Sequence, residues 1–288
     1  MDRVLKRIAI IAAGVLLIGI GGNAVLLALG QWNGAYMTVG QARISDTYIV
    51  KSSTAKRLEL DSSSGDVRVV RSDVTSPTIR ISGWSTSDNF EKEDVVQEEM
   101  QGDVLHLRIG NKGNGRSSGQ FVFWKLNFEL LLPQKEYDEL ILHVSSGSLQ
   151  IEALEAGTLK IEMRSGKLKM ENCKANEISI KKLSGRADIK NISGKLNVEN
   201  DSGNVAVSLN EIVNDAVFRS KAGNIELHVG AVSTPFKVEA TALSGKMDID
   251  LPKDGYQVHG ASSFHGLSGQ GDGPLVKVEI GFGRARIW

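Results

Sequence analysis

The chain has 288 residues, room for one large domain or two modest ones, and its 34 Lys+Arg balance 34 Asp+Glu to a formal net charge of zero. That balance excludes the strongly basic field of a nucleic-acid-binding protein, and the single cysteine, Cys173, excludes both a disulfide framework and a Cys-based metal cluster. The 31 glycines, against 5 prolines and 6% aromatics, are more than an ordinary globular chain carries and ask for a structural reason.

Arg3, Lys6 and Arg7 precede Ile8–Leu29, a run of 22 residues without a charge. At about 1.5 Å per residue such a helix crosses a hydrocarbon core of roughly 30 Å. The next basic residue is Arg43, so the positive-inside rule places residues 1–7 in the cytoplasm and the bulk of the chain outside it. Trp32 and Tyr36 fall where an interfacial aromatic belt would lie. A cleaved signal peptide is the competing reading, but its apolar region is usually about 7–15 residues. Residues 8–29 are therefore read as a retained single-pass anchor and the small, polar residues 30–52 as a linker.

From 53 to 139 the pattern is β but irregular. LELDSSSGDVRVV and PTIRISGW suggest strand pairs, and DVVQEEMQGDVLHLRIG predicts a hairpin around Gln101-Gly102-Asp103. Gly110–Gly119 reads as a loop before the strand QFVFWKLNFELLLP. This region is expected to form the first, broader coils of the domain or a cap over its open end.

From 140 to 288 the chain repeats itself. SSGSLQIEAL (145–154), RSGKLKMENC (164–173), LSGRADIKNI (183–192), ISGKLNVEND (192–201), DSGNVAVSLN (201–210), KAGNIELHVG (221–230) and LSGKMDIDLP (243–252) share one plan: a small residue, Gly, then alternating apolar and polar side chains. An outlying copy, SSGDVRVVRS, lies at 63–72, and GFGRARIW closes the chain. The glycines at 147, 166, 185, 194, 203, 223 and 245 step by 19, 19, 9, 9, 20 and 22 residues, one or two strand-plus-turn units each. Strands of about five residues cannot bury an apolar row alone, whereas coils stacked at about 4.8 Å share one core and satisfy each other's backbone. An all-β fold, a β-solenoid or single-stranded β-helix with Ser-Gly turns, is favoured over a sandwich of hairpins.

LLPQKEYDELILHVSSGSLQIE resembles the bacterial putative-adhesin domain family, whose hallmark is a Leu-Pro, a short spacer and strand–Ser-Gly–strand repeats. The layout returns at LPKDGYQVHG, and VKVEIGFGRARI is similar to the family's last repeat. The resemblance covers roughly residues 50–288 and implies a β-helix-like solenoid with no established activity. The overall plan also resembles membrane-anchored proteins of the LiaG type, which implies an accessory role beside a cell-envelope stress system.

Catalytic chemistry is hard to find. His106, His143, His228, His259 and His265 show no metal-ligand spacing and read as surface or turn residues, His259 and His265 being the closest pair. The serines are explained by Ser-Gly turns, and GNKGNGRSSG lacks the Lys-Ser ending and following helix of a phosphate loop. Its Lys112 and Arg116 read as ordinary surface residues. Asp188, Glu199, Asp201, Asp248 and Asp250 occupy outward positions, where solvated charge is the plain expectation for acids that a β-helix hydrolase would otherwise pair. Trp84, Phe121, Phe123 and Trp124 suggest a sugar-stacking platform less readily than buried strands.

No catalytic, cofactor-binding or metal site is assigned, and no cofactor, nucleic acid or small-molecule substrate is expected. The expected function is a non-enzymatic, membrane-anchored, extracytoplasmic interaction or adhesin-like module whose partner is an envelope protein or cell-wall polymer. A stress-signalling accessory and a carbohydrate-active β-helix enzyme are the alternatives. With the N-terminus inside, a cysteine introduced as Ser53→Cys is expected to react with a membrane-impermeant thiol reagent in intact cells. A mature chain beginning near residue 30 would contradict the retained anchor.

Overall fold

Alternation with period two shows every second side chain of a strand to one side. Lys167–Glu171 thus presents Leu168 and Met170 inward and three charged residues outward. In the computed structural model such strands share one interior. The structure describes residues 42–52, 54–86, 90–110, 124–230, 235–251, 256–259, 263–268 and 273–288. The expected anchor at 8–29, with Trp32 and Tyr36, lies outside the described residues, as do Lys112, Arg116, Phe121 and Phe123. Among the described residues no helix is long and apolar enough to cross a membrane.

The strands are β1 (Ala42–Ile49), β2 (Arg57–Ser62), β3 (Asp66–Ser72), β4 (Thr78–Ser85), β5 (Val96–Gln101), β6 (Val104–Ile109), β7 (Trp124–Pro133), β8 (Glu139–Val144), β9 (Ser148–Glu152) and β10 (Glu155–Met163). They continue as β11 (Lys167–Glu171), β12 (Lys174–Lys182), β13 (Arg186–Lys190), β14 (Ser193–Leu209), β15 (Ala216–Val229), β16 (Phe236–Ile249), β17 (Tyr256–His259), β18 (Ser263–Ser268) and β19 (Leu275–Ile287). A short 3-10 turn at Lys92–Asp94 is the one helical element described.

Two faces run along the stack. On the first, β6, β2, β8, β10, β12, β14, β15, β19 and β16 pair in parallel in that spatial order. On the second, the parallel order is β7, β3, β9, β11, β13 and then the later halves of β14, β15, β19 and β16. Parallel pairing of consecutive coils is the solenoid arrangement, not the antiparallel hairpins of a sandwich. The described fold is all-β, as the alternation predicts.

The rungs do not follow chain order at either end, although coil-on-next-coil stacking is the simplest expectation from the repeats. The β2/β3 rung lies between β6/β7 and β8/β9, and the last strand, β19, fills the gap between β15 and β16. Antiparallel strands are added at the ends: β5 on β6, β4 on β7 and β1 on β4 at one, β18 on the first half of β16 and β17 on β18 at the other. The β5–β6 hairpin turns at Gly102, in the left-handed region at φ +65, as predicted.

Register makes the core. Leu60, Leu107, Leu142, Ile161, Ile180, Val198, Phe218 and Val278 stand in one buried column on the first face. On the second, Val67, Phe128, Leu149, Leu168, Ala187, Val205 and Ile225 form its counterpart. Full burial of each large apolar side chain contributes about 1.5–3 kcal/mol. Cys173, 1% exposed, is a core residue whose thiol burial pushes up to about 11.

The faces meet at the Ser-Gly corner, where Gly65, Gly147, Gly166, Gly185, Gly203, Gly223, Gly283 and Gly245 form one column. A Cβ built on Gly166 would run into the carbonyl oxygen of Gly147, and one on Gly203 into that of Gly185. Their φ values are +111 and +105. Where a serine precedes the glycine in the middle of the stack, it ties its rung to the one behind. Ser184 Oγ donates to the Arg164 carbonyl at 3.2 Å and Ser202 Oγ to that of Leu183 at 3.1 Å. The outlying copy at 63–72 joins this column through Gly65. Gly194 does not; it abuts the Ala175 carbonyl at a different corner, so its nine-residue step is half a coil.

That other corner places Ala153, Asn172 and Asn191 at φ 55, 55 and 51. Asn191 Nδ2 donates to Asn172 Oδ1 at 2.5 Å and Asn210 Nδ2 to Asn191 Oδ1 at 3.1 Å, a ladder that stops short of Ala153. Asn tolerates the left-handed region better than Ala. Ala153→Asn is therefore expected to stabilise the protein by about 0.5–1 kcal/mol. Two glycines separate close approach from φ alone. Gly102 has nothing within 4 Å of a built Cβ, so Gly102→Ala should cost about 1–2 kcal/mol. Gly166→Ala adds a backbone collision and should cost about 3 kcal/mol or more. Denaturant unfolding measures all three, and equal costs at 102 and 166 would contradict the column.

Candidate functional site

The outward side of the first face carries a row that follows from register alone. Arg108, Asp61, His143, Glu162, Lys181, Glu199, Arg219 and Glu279 stand on successive rungs. Rungs about 4.8 Å apart would make like charges here repel, and the row instead largely alternates in sign. Arg219 Nε lies 2.7 Å from Glu279 Oε2, and Arg108 Nε 3.8 Å from Asp61 Oδ2. Lys277 and Arg219 together hold the Glu279 carboxyl below its ordinary range. Likewise Lys160 and Arg57 lower Glu139.

Beside this row runs a groove of about 620 Å³, bounded by Glu59, Asp61 and His143 at one end and by Glu199, Asp201 and Lys221 at the other. Arg164, Lys181 and Leu183 line its middle. Leu183 is an exposed apolar side chain at the Ser-Gly corner. Acidic and basic groups are mixed throughout, so the groove has no single-sign field.

Two of the five histidines, His106 and His143, gather where spacing gave no hint. His106 on β6 has Nδ1 3.2 Å from Glu59 Oε2, and His143 on β8 has Nε2 3.6 Å from Glu59 Oε1. The other His143 nitrogen, Nδ1, is 3.4 Å from Glu162 Oε2. One ligand atom from each of Glu59, Asp61 and His143 lies within 4.8 Å of the others, and all three side chains are half-buried. Residues 59, 106 and 143 are distant in sequence and meet because β2 sits between β6 and β8. No sequence signal marks this cluster. His228 lies elsewhere, its ring 5.5 Å from that of Trp288. His265 Nδ1 is 4.0 Å from Glu239, and the side chain of His259 lies outside the described residues.

Four of the five acids that the sequence singles out have a cation within 4.0 Å. Asp188 meets Arg186 at 2.7 Å, Asp201 meets Lys221 at 2.7 Å, and Glu199 and Asp248 each have an arginine at 3.9 Å. Asp250 is exposed at the end of β16. Trp84 is half-buried on β4, and the Trp124 side chain lies outside the described residues.

Beneath the groove one inward column turns polar: Lys182, Asn200 and Ser220 follow Met163 on successive rungs, all buried. Lys182 Nζ donates to the carbonyls of Gly166 at 2.9 Å and Ser184 at 2.8 Å, and burial pushes its ammonium down to about 8. Asn200 Nδ2 donates to Ser220 Oγ at 3.3 Å, while its Oδ1 has no partner among the described residues.

Parallel rungs on a glycine column, capped by antiparallel strands and bearing a mixed-charge groove, define an all-β, β-helical domain. The chain belongs to the Toastrack DUF4097 family, whose model matches residues 56–185 and 116–274. Among solved structures it is similar to a "putative cell adhesion protein" from Clostridium sporogenes, at 16% identity over 85% of this chain and 99% of that one, with a TM-score of 0.43. It is also similar to a "putative lipid binding protein" from Parabacteroides distasonis (15% identity, 85% and 96% covered, TM-score 0.46) and a "putative adhesin" from Bacteroides fragilis (15%, 85% and 97%, 0.30). No curated protein matches the chain in sequence.

Lys182 makes stability depend on pH in a set direction. Its folded pKa, about 8, is below the unfolded value near 10.5, so between these values the unfolded chain holds more protons and stability rises with pH. The penalty is fully present below about pH 8. Cys173 works the opposite way, because its folded pKa is raised and the unfolded thiol ionises first. Comparing wild type with Lys182→Met isolates the lysine. From pH 7 to pH 10 the wild type should gain about 2 kcal/mol relative to the variant. Parallel pH profiles would show that Lys182 is solvated.

Proposed function

We propose that this protein is a non-enzymatic interaction module, held at the membrane by residues 8–29 and presenting the first-face groove to a protein partner outside the cytoplasm. The observation that carries the reading is the state of the acids. The outward carboxylates at Asp188, Glu199, Asp201 and Asp248 each have a cationic side chain within 4.0 Å, where a glycosidase would need two acids free to exchange protons. A rigid, registered face of mixed charge with an exposed Leu183 offers many polar contacts in fixed geometry, which suits a folded protein surface. It lacks the basic field that would favour an anionic wall polymer. The anchor reading rests on Arg3, Lys6 and Arg7 before the 22-residue apolar run.

Site-specific photocrosslinking of the full-length chain in cells tests this, with and without wall-antibiotic stress. Probes replacing Arg164 and Lys221 in the groove are expected to capture a defined protein, identified by mass spectrometry. Probes replacing Lys169 and Glu226 on the second face should not. No adduct from the groove in either condition, or the same adducts from both faces, would overturn the proposal.

A further inference from the structure

We propose that Glu59, Asp61 and His143 form a binding site for a first-row transition dication, Zn²⁺ foremost, on the outer surface of the first face. This goes beyond the interaction module and does not depend on it.

Strand geometry brings the ligands together. Glu59 and Asp61 are two apart on β2 and so share its outward side, and His143 on β8 is the register partner of Asp61. Around a tetrahedral zinc, with bonds of about 2.0–2.2 Å, ligand atoms sit about 3.4 Å apart. His143 Nε2 and Glu59 Oε1 are 3.6 Å apart, and the Asp61 oxygen completes a trio within 4.8 Å. Small side-chain rotations on a fixed backbone close that trio on one ion.

The second observation concerns how the donors are held. His143 turns Nε2 to the trio and Nδ1 to Glu162 Oε2 at 3.4 Å. Metal-ligating histidines commonly show their second nitrogen to a carboxylate in this way, which fixes the ring and raises its basicity. Glu59 is steadied in turn by His106 Nδ1 at 3.2 Å from its other oxygen. Three carboxylates, Glu59, Asp61 and Glu162, crowd two imidazoles, with Arg108 at 3.8 Å from Asp61 as a nearby cation. A dication relieves that crowding better than a water does. The imidazole selects for zinc, copper or nickel over calcium or magnesium, which take oxygen ligands. Three protein ligands leave a fourth position for water or for a donor from a partner.

Zinc chloride titrated calorimetrically into the full-length, chelator-stripped protein in detergent micelles tests the site. Wild type should bind one Zn²⁺ per chain with micromolar affinity or tighter. His143→Ala and Glu59→Gln should each weaken binding at least tenfold, without change in the metal-free unfolding temperature because both positions face outward. Arg108→Gln, which removes the competing cation, should bind several-fold tighter, and His228→Ala, far from the trio, should bind as wild type does. Absence of saturable binding below about 100 µM would overturn the proposal. So would wild-type affinity in His143→Ala, which would make the zinc an adventitious surface ion.

Discussion

The structure depends on how closely successive rungs approach at the Ser-Gly corner. There the carbonyl oxygen of one glycine occupies the space that the Cβ of the next would need, from Gly65 to Gly245. Positive φ alone would admit asparagine, as it does at Asn172 and Asn191 across the coil. The contact at the column admits only glycine, and in doing so it sets each rung on its neighbour. Everything built on register follows: apolar columns inside, serine hydroxyls reaching one carbonyl back, an asparagine ladder at the far corner. Fixed register also imposes a cost outside, because residues at equivalent positions stack about 4.8 Å apart. The largely alternating row from Arg108 to Glu279 answers that constraint.

A stack of parallel rungs ends in an unpaired edge, a template for association with other chains. Here both ends are built by excursions that leave the stack and return inside it. The chain passes through β4, β5, β6 and β7 before β8 pairs with β2, and it passes through β16, β17 and β18 before β19 slots between β15 and β16. The C-terminal strand therefore has neighbours on both sides and does not fray as an edge would. Antiparallel strands, some carrying charged side chains, take the outermost places on the first face and at the β7 end of the second. The later half of β16 is outermost at the other end of the second face among the described residues.

Local chemistry was legible in the sequence and long-range neighbourhood was not. Period-two alternation and Ser-Gly spacing reveal the rungs, and Cys173 as a small core residue follows from the same pattern. Gly194 misleads because its flanking residues copy the column's motif while the coil places it at another corner. Insertion of β2 between β6 and β8 leaves no local mark, and so neither does the meeting of Glu59, His106 and His143. Lys182 is an intermediate case. The phase of Ile178 and Ile180 points it inward, and that phase is the signal that a charged side chain is buried beneath the groove.

The inward columns are mostly apolar, so the charged and polar side chains stand chiefly on the outer face. The grid of side chains brings residues from distant parts of the chain together, both in the groove and in the Glu59–Asp61–His143 trio. That grid exists only if the rungs lie in the spatial order described. Disulfide trapping tests it most directly, in a background where Cys173 is replaced by alanine. Cysteines at Arg219 and Glu279 fall on adjacent parallel strands, about 4.8 Å apart and within disulfide reach, whereas Arg219 and Thr241 are two rungs apart. The 219–279 pair should crosslink readily and the 219–241 pair should not. Crosslinking of 219 with 241 in place of 279 would show that the coils follow chain order, and would contradict the grid.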